Sequence, residues 1–326
     1  MRRFLFVISC LALIASSVIA EDTKITFVTD WKAQAEHGGF YQAVAKGYYK
    51  KRGLDVTIRQ GGPQSDNPRL LAAGAIDIAL TSNNFQPINL LAAGADTKVV
   101  MAVFQKDPQV FMVHPENPAN SIAEMKDMPI FIADSAIGTI WPWLEAKFGF
   151  TDKQIRKYTY SLAPWLVNKG TVQEGYLSSE PFTAKQAGID PKVFLLADEG
   201  YLGYAAMVTV RGEFIRKSPE VVRKFVEATI EGWQDYLYND PVPANALILN
   251  DNPEATEELL AYSIKTMKSA NIVGTGGDIG QIDPARWNRF YREMSALGVF
   301  PSNLDVRKAF TTEFLPSSVK TDTKTE

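Results

Sequence analysis

The residues best suited to chemistry lie in one short stretch, DWKAQAEHGG, at positions 30–39. Trp31 offers a flat aromatic face on which a planar ring could stack, and the imidazole of His37 could donate or accept a hydrogen bond near neutral pH. Gly39 belongs to a glycine pair that would open a helix, whose first N–H groups lack partners and would be reached closely by a ligand. The group indicates a binding site, with a core Trp31 and a helix-capping His37 as the alternatives.

Similar groups of small, hydrogen-bonding and aromatic residues follow other predicted strands. In open α/β sheets, ligands bind outside the carboxyl ends of strands, so we expect these groups to contribute to one site. The Thr hydroxyl after a glycine could add a donor at a second helix start. The candidates are Gly62, Ser82, Asn83, Gly138, Thr139 and Trp141, together with Gln34 and Tyr41 near the first stretch.

A separate candidate is Glu180, in the segment GTVQEGYLSSEPF at 170–182. It precedes a proline, which favours an extended conformation for the glutamate. Its carboxylate could form a charge-assisted bond with a ligand amine or an amidine-like ring edge. Tyr176 and Tyr204 could line the same cleft or its hinge. A solvated glutamate and tyrosines packed in the core are the alternatives.

These groups require a scaffold, and the hydrophobic pattern predicts an α/β one. Strand-like runs at 25–30, 55–59, 76–81 and 99–104 alternate with short helical segments, which favours a mostly parallel sheet. A second series of strands begins near residue 118, with runs at 128–134, 193–198 and 205–211. A long helix is predicted to begin at Ser218 and Pro219, and the C-terminal third is helical. Two α/β blocks indicate a ligand held between them.

Residues 1–20 predict a cleaved secretory signal peptide, because a positive start precedes an apolar stretch and small residues. An uncleaved N-terminal anchor is the alternative. Cys10, the single cysteine, lies inside this segment, so a cleaved chain would have no disulfide or thiolate site. His37 and His114 are the two histidines, and we therefore expect no metal site. A formal net charge of −3 without a basic block argues against a nucleic-acid partner.

The pattern DWxxQxxHGGFYxAxxxGYYKKRGLDV, followed by GGP and LLAAGAIDIALTSN, resembles the periplasmic solute-binding proteins of the NMT1/THI5-like family. Its pyrimidine-binding branch carries D-W-x-P-N-x-x-H-x-G, and here Ala33 replaces the proline and Gln34 the asparagine. The resemblance implies a type II periplasmic binding protein with two α/β lobes that close on a ligand. It also implies that Trp31 stacks on the ligand ring and that Glu180 meets its polar edge.

The same resemblance implies the domain organisation. Lobe I would be discontinuous and comprise 21–115 and 205–316, and lobe II would comprise 116–204. The polar composition of the tail at 317–326 separately predicts disorder. The chain would act as a periplasmic, monomeric binding component of an ABC importer, without catalytic residues or a cofactor. It would capture a small planar nitrogen heterocycle, such as a thiamine-precursor pyrimidine, and deliver it to an inner-membrane permease.

Three alternatives stay open at the level of sequence. The ligand could be an anion such as a sulfonate, a nitrate or an aromatic carboxylate, assisted by Arg59 or Arg69. The chain could be a pyrimidine-synthesising enzyme of the THI5 type, although that branch uses pyridoxal phosphate and a cysteine-rich motif. It could also be a periplasmic sensory module, which differs only in its partner.

Overall fold

Two five-stranded sheets form the framework of the computed structural model, which describes residues 21–62, 65–158 and 161–316. The predicted signal peptide at 1–20 and the predicted tail at 317–326 lie outside these ranges. Within them, no helix has the length and apolarity that crossing a membrane requires. The predicted α/β fold class is confirmed.

The first sheet is mixed rather than mostly parallel. Its strands are β1 (Thr23–Val28), β2 (Leu54–Arg59), β3 (Ile78–Asn83), β4 (Thr97–Phe104) and β10 (Ala205–Arg211). Their order is β2-β1-β3-β10-β4, with β1 parallel to β2 and β3. β10 returns from the other sheet and pairs antiparallel with both β3 and β4. This central position explains its nearly continuous buried run AAMVTVR.

The second sheet is also mixed. Its strands are β5 (Gln109–Val113), β6 (Ile130–Ile132), β7 (Ile155–Lys157), β8 (Val172–Tyr176) and β9 (Lys192–Leu195). The order is β7-β6-β8-β5-β9, with β6 parallel to β7 and β8, and β5 antiparallel to β8 and β9.

The chain passes between the sheets twice, and the first passage lies earlier than predicted. Because β5 belongs to the second sheet, the crossing occurs at 105–108, and the predicted boundary at 115 is corrected accordingly. The β5 sequence QVFMV is buried at every position and therefore lacks the alternation that marks a half-buried strand. The return runs through 196–204, directly before β10.

Twelve helices surround the sheets within the described ranges. They are α1 (Gly38–Ala45), α2 (Asn67–Ala72), α3 (Phe85–Ala92), α4 (Asp134–Ile137), α5 (Ile140–Phe148), α6 (Ala163–Val167), α7 (Glu180–Gln186), α8 (Gly212–Lys217), α9 (Pro219–Tyr238), α10 (Val242–Asp251), α11 (Glu257–Ser269) and α12 (Pro284–Ala296). The longest, α9, begins at the predicted proline and buries an apolar stripe that packs against α1. This contact fixes the position of α1, which begins at the end of the DWKAQAEHGG stretch.

The lobes also touch through side chains. The hydroxyl of Ser178, after β8, donates a hydrogen bond to Glu36, before α1. The hydroxyl of Ser263 on α11 donates to the carbonyl of Ser178 at 2.6 Å, and the Tyr262 hydroxyl donates to the Leu177 carbonyl at 3.2 Å. Glu36, Ser178 and Ser263 are all buried, so these bonds hold the lobes together away from bulk water.

Candidate functional site

A cavity of about 410 Å³ lies between the lobes, at the carboxyl ends of β1, β3, β6 and β8. This is where the strand-end rule places a ligand. Nine of the fourteen predicted site residues line it, and they come from both lobes. They are Trp31, Gln34, His37, Gly62, Ser82, Asn83, Thr139, Tyr176 and Glu180.

Trp31 is half-buried at the cavity wall, so it is not a core residue. Its backbone carbonyl accepts hydrogen bonds from the Thr29 hydroxyl, at 2.7 Å, and from the Gly61 N–H, at 3.0 Å. Ala33, which replaces the proline of the family pattern, donates its N–H to Gln60 Oε1 at 2.9 Å. Proline could not make that bond, because it has no N–H. This bond helps to hold the loop that carries Trp31.

Two predicted residues of α1 lie outside the cavity lining, and packing is the reason. A Cβ atom on Gly39 would lie 2.2 Å from Cγ of Trp233, so this glycine allows α9 to approach and does not admit a ligand. Gly38 meets Tyr236 in the same way. The Tyr41 side chain is buried, and its hydroxyl donates to Asp251 Oδ2 at 2.9 Å.

Three further predicted residues, Gly138, Trp141 and Tyr204, also lie outside the lining. Gly138 follows the last residue of α4 and has no neighbour within 4 Å of where a Cβ would be. Trp141 is buried in the second lobe, where its Nε1 donates to Asp152 at 3.0 Å. The Tyr204 hydroxyl accepts from the N–H of Asp283, and its ring stacks below the Arg286 guanidinium at 4.0 Å.

Thr139 lines the cavity at the start of α5, and its hydroxyl is bonded within the second lobe. Its hydroxyl donates back to the carbonyl of Ser135 at 2.9 Å and to that of Ala136 at 3.3 Å. It does not cap the helix that follows it. The hydroxyl therefore closes the preceding turn and has no donor left for a ligand.

The first lobe contributes a hydrogen-bonded trio of Asp30, His37 and Ser82. The carboxylate of Asp30 accepts from the Ser82 hydroxyl at 2.7 Å and lies 3.3 Å from His37 Nε2. Burial alone would raise the pKa of Asp30, but the hydrogen bonds and charge of His37, with the Ser82 bond, outweigh it and lower that pKa. Nδ1 of His37 is buried without a hydrogen-bond partner among the described residues. It offers an unused polar atom at the cavity wall.

The second lobe contributes Glu180, which is the first residue of α7 and not extended as predicted. Its carboxylate accepts from the Tyr176 N–H at 2.7 Å and from the Tyr158 hydroxyl at 3.2 Å. The side chain lies over Gly175, where a Cβ would stand 2.5 Å from Cγ of Glu180. Burial, reinforced by the charge of nearby Glu174, raises the pKa of Glu180 to about 7.

Two buried glutamates of the site were missed from sequence, because an isolated glutamate normally indicates solvent. Glu36 is 3% exposed, and burial raises its pKa despite the hydrogen bond from Ser178. Glu174, on β8, is 5% exposed, and burial likewise raises its pKa. Glu174 lies inside a short strand between hydrophobic segments, and a polar residue in that position was the signal that could have identified it as a site residue. Gln109, on β5, also lines the cavity and was missed.

The cavity is strongly acidic. Within the described ranges no lysine or arginine lines it, whereas six acidic residues do: Asp30, Glu36, Asp66, Asp134, Glu174 and Glu180. Asp134 pairs with Lys157 at 3.4 Å. Arg69, predicted to assist an anion, instead pairs with Asp66 at 3.2 Å in an exposed position. Such an interior repels anions and attracts cations and N–H groups. The same ranges contain no group of three or more His, Cys, Asp or Glu side chains that could hold a metal ion.

Comparison with known proteins places this geometry in context. The family model described as "NMT1/THI5 like" matches residues 34–244. A riboflavin-binding protein, RibY, from Chloroflexus aurantiacus is 26% identical over 304 residues, covering 90% of this chain and 86% of that protein. A formylaminopyrimidine-binding protein from Halalkalibacterium halodurans is 26% identical over 298 residues, covering 87% and 88%.

Enzymes also occur among the relatives. The Saccharomyces cerevisiae protein named 4-amino-5-hydroxymethyl-2-methylpyrimidine phosphate synthase THI5 is 27% identical over 273 residues, covering 72% of this chain and 73% of that protein. Among solved structures, the alkanesulfonate-binding protein SsuA from Xanthomonas axonopodis pv. citri, bound to MOPS, superimposes with a TM-score of 0.66 at 14% identity. That match covers 90% of this chain and 99% of the other, and it shows the fold alone.

Proposed function

The chain belongs to the NMT1/THI5-like family, and we propose that it is the substrate-binding component of an ABC importer. It captures a small planar nitrogen heterocycle, such as a thiamine-precursor pyrimidine. It works in the periplasm as a monomer and delivers the ligand to an inner-membrane permease. The binding proteins among its relatives, and the signal-peptide pattern at 1–20, support this setting.

One observation carries the choice of ligand: a half-buried indole and six acidic side chains, without a lysine or arginine, line one cavity in the described part of the chain. Stacking on Trp31 would contribute about 1 kcal/mol beyond the area that it buries. Each hydrogen bond from a ligand N–H to a carboxylate would add about 1.5–3 kcal/mol. A flat ring with N–H groups at its edge uses both features.

The same charges disfavour an anionic ligand. A sulfonate or nitrate entering the cavity would meet Asp30, whose pKa is lowered by its bonds to His37 and Ser82, and five further carboxyl groups. No lysine or arginine lines the cavity among the described residues, and Arg69 and Lys157 are already paired with Asp66 and Asp134. Likeness to a sulfonate-binding structure therefore supports the fold and not the ligand.

The enzymatic alternative is disfavoured by the same lining. Pyridoxal phosphate is held through a Schiff base to a lysine, and no lysine lines the cavity within the described ranges. Residues after the predicted cleavage site contain no cysteine for a cysteine-rich motif. Binding without chemical conversion is the simpler use of this site.

The experiment begins with mass spectrometry of small molecules released from purified protein by denaturation. Titration calorimetry then compares 4-amino-5-hydroxymethyl-2-methylpyrimidine, riboflavin and MOPS with the wild-type protein and with Trp31→Ala. We expect an amino-bearing heterocycle to bind, and the substitution to weaken it. Tight binding of MOPS with no binding of either heterocycle would refute the proposal. A lysine-bound cofactor absorbance in the purified protein would support the enzymatic alternative.

A further inference from the structure

Gln109 and Glu174 lie side by side at the cavity wall of the second lobe. In the antiparallel pair of β5 and β8, Gln109 lies opposite Tyr176, and Phe111 lies opposite Glu174. Residues directly opposite, and residues two apart along a strand, project from the same face of a sheet. Gln109, Glu174 and Tyr176 therefore share one face, and all three line the cavity.

The contacts of this pair leave an acceptor atom that has no partner in the described part of the chain. Nε2 of Gln109 donates to Glu174 Oε1 at 3.2 Å, and the other carboxylate oxygen accepts from the Ala133 N–H at 3.3 Å. Oε1 of Gln109 is buried without a partner among the described residues, although the residue is 5% exposed. A buried acceptor of this kind normally has a partner. Each carboxylate oxygen of Glu174 can also accept a second hydrogen bond.

We propose that Gln109 and Glu174 are the specificity-determining pair of the site and select a ligand edge that carries two N–H donors. One ligand N–H donates to Oε1 of Gln109, and a second donates to the Glu174 carboxylate. An amino group has this pattern through its own two N–H bonds, and so does an amidine-like edge whose ring nitrogen is protonated. The inference rests on the proposed function and names the part of the ligand that the second lobe reads.

The orientation of Gln109 supports a donor-bearing ligand over an acceptor-bearing one. Glu174 accepts from the amide NH₂ of Gln109, and this orientation leaves the amide oxygen of Gln109 for the ligand. A ligand with a carbonyl or ether oxygen at that edge would leave Oε1 of Gln109 unpaired and would face the Glu174 carboxylate. Sites built to bond an N–H reject analogues that lack it for this reason.

The test is a titration of 4-amino-5-hydroxymethyl-2-methylpyrimidine and of its analogue in which methoxy replaces the amino group. The proteins are wild type, Gln109→Met, Glu174→Gln and Gln109→Glu. Gln109→Met fills similar space without hydrogen-bonding groups, whereas Gln109→Glu keeps an acceptor. We expect wild type to prefer the amino compound by at least about tenfold, and Gln109→Met and Glu174→Gln to lose most of this preference. Gln109→Glu should retain it.

Gln173 provides a matched control, since it is the neighbouring buried glutamine on β8 but does not line the cavity. Gln173→Met should leave the preference unchanged. Equal preference in wild type, Gln109→Met and Glu174→Gln, with binding that Trp31→Ala still weakens, would overturn this inference and leave the proposed function standing. Failure of wild type to bind the amino compound would overturn both. Circular dichroism confirms that each variant compared is folded. If Glu174→Gln does not fold, the loss of preference in Gln109→Met and its retention in Gln109→Glu test the pair.

Discussion

Replacing Glu180 by glutamine should make the ligand-free protein more stable at pH 8 and leave it little changed near pH 4.5. The carboxylate of Glu180 is enclosed with Glu174 and Glu36, and burial raises its pKa from an ordinary 4.5 to about 7. A carboxyl group whose pKa is raised in the folded state binds more protons there than in the unfolded chain. Its contribution to stability is therefore present at low pH and is lost as the pH rises to about 7.

The size of the stability change follows from the pH range between the unfolded and folded pKa values of Glu180. Each pH unit between the unfolded and folded pKa values changes the free energy of unfolding by about 1.4 kcal/mol. Between pH 5 and pH 8 the wild-type protein should lose about 2–3 kcal/mol through Glu180 alone. Glutamine does not titrate, and its amide oxygen can still accept from the Tyr176 N–H, which the carboxylate now does at 2.7 Å. The variant should escape this loss.

The assay is urea unfolding of the ligand-free wild type and Glu180→Gln at pH 5, 6, 7 and 8. Asp107, another buried carboxyl group whose pKa burial raises to about 7, titrates in both proteins and cancels in the difference. Glu145→Gln, at an exposed position on α5, provides the control and should follow the wild-type curve. A second titration with 4-amino-5-hydroxymethyl-2-methylpyrimidine should show at least about tenfold weaker binding to Glu180→Gln.

Parallel stability curves for wild type and Glu180→Gln across this pH range would refute the reasoning. They would show that Glu180 ionises as it does in water, and hence that the cavity around it is open to solvent. Unchanged affinity for the amino compound would separately refute the role of Glu180 at the ligand edge.

Three further substitutions test other parts of the structure. Trp31→Ala should weaken heterocycle binding by about tenfold or more, since stacking and buried area are both lost, while the thermal midpoint of the ligand-free protein stays nearly constant. A large fall in that midpoint would show that Trp31 stabilises the ligand-free fold, against its assignment as a binding residue. Gly39→Ala should lower the free energy of unfolding, measured in urea, by about 1–3 kcal/mol, because the new Cβ meets Trp233. The control Gly170→Ala places its Cβ in open space and should be neutral. Equal stability of the two variants would contradict the packing role of Gly39. Ser178→Ala removes the interlobe hydrogen bond to Glu36. The radius of gyration of the ligand-free variant, measured by small-angle X-ray scattering, should therefore increase. An unchanged radius would show that other contacts hold the lobes together.

Much of the fold was predictable because its elements have local signatures. The strand predicted at 205–211 corresponds to β10, and the proline predicted to begin the long helix opens α9. β5 was missed because a fully buried strand shows no alternation. The conformation of Glu180 was predicted wrongly because a proline in the first turn of a helix and a proline after an extended residue give the same dipeptide.

The site was predictable in part for the same reason. Trp31, His37 and Ser82 follow predicted strands, and the carboxyl ends of strands meet at one edge of a sheet. Gly39 was assigned to the ligand because a glycine needed for helix packing and one needed for ligand approach are identical in sequence. Only the position of Trp233, nearly two hundred residues along the chain, distinguishes the two uses.

The sequence by itself determined that this is an α/β chain with a strand-end aromatic and histidine, and that it resembles one family of binding proteins. These properties depend on residue type and short spacing, which act before the chain folds. Tertiary structure alone decided the charge of the cavity, since Asp30, Glu36, Glu174 and Glu180 converge from two lobes. The pKa of a carboxyl group changes only when folding removes water and brings distant charges together, so no local pattern could reveal it.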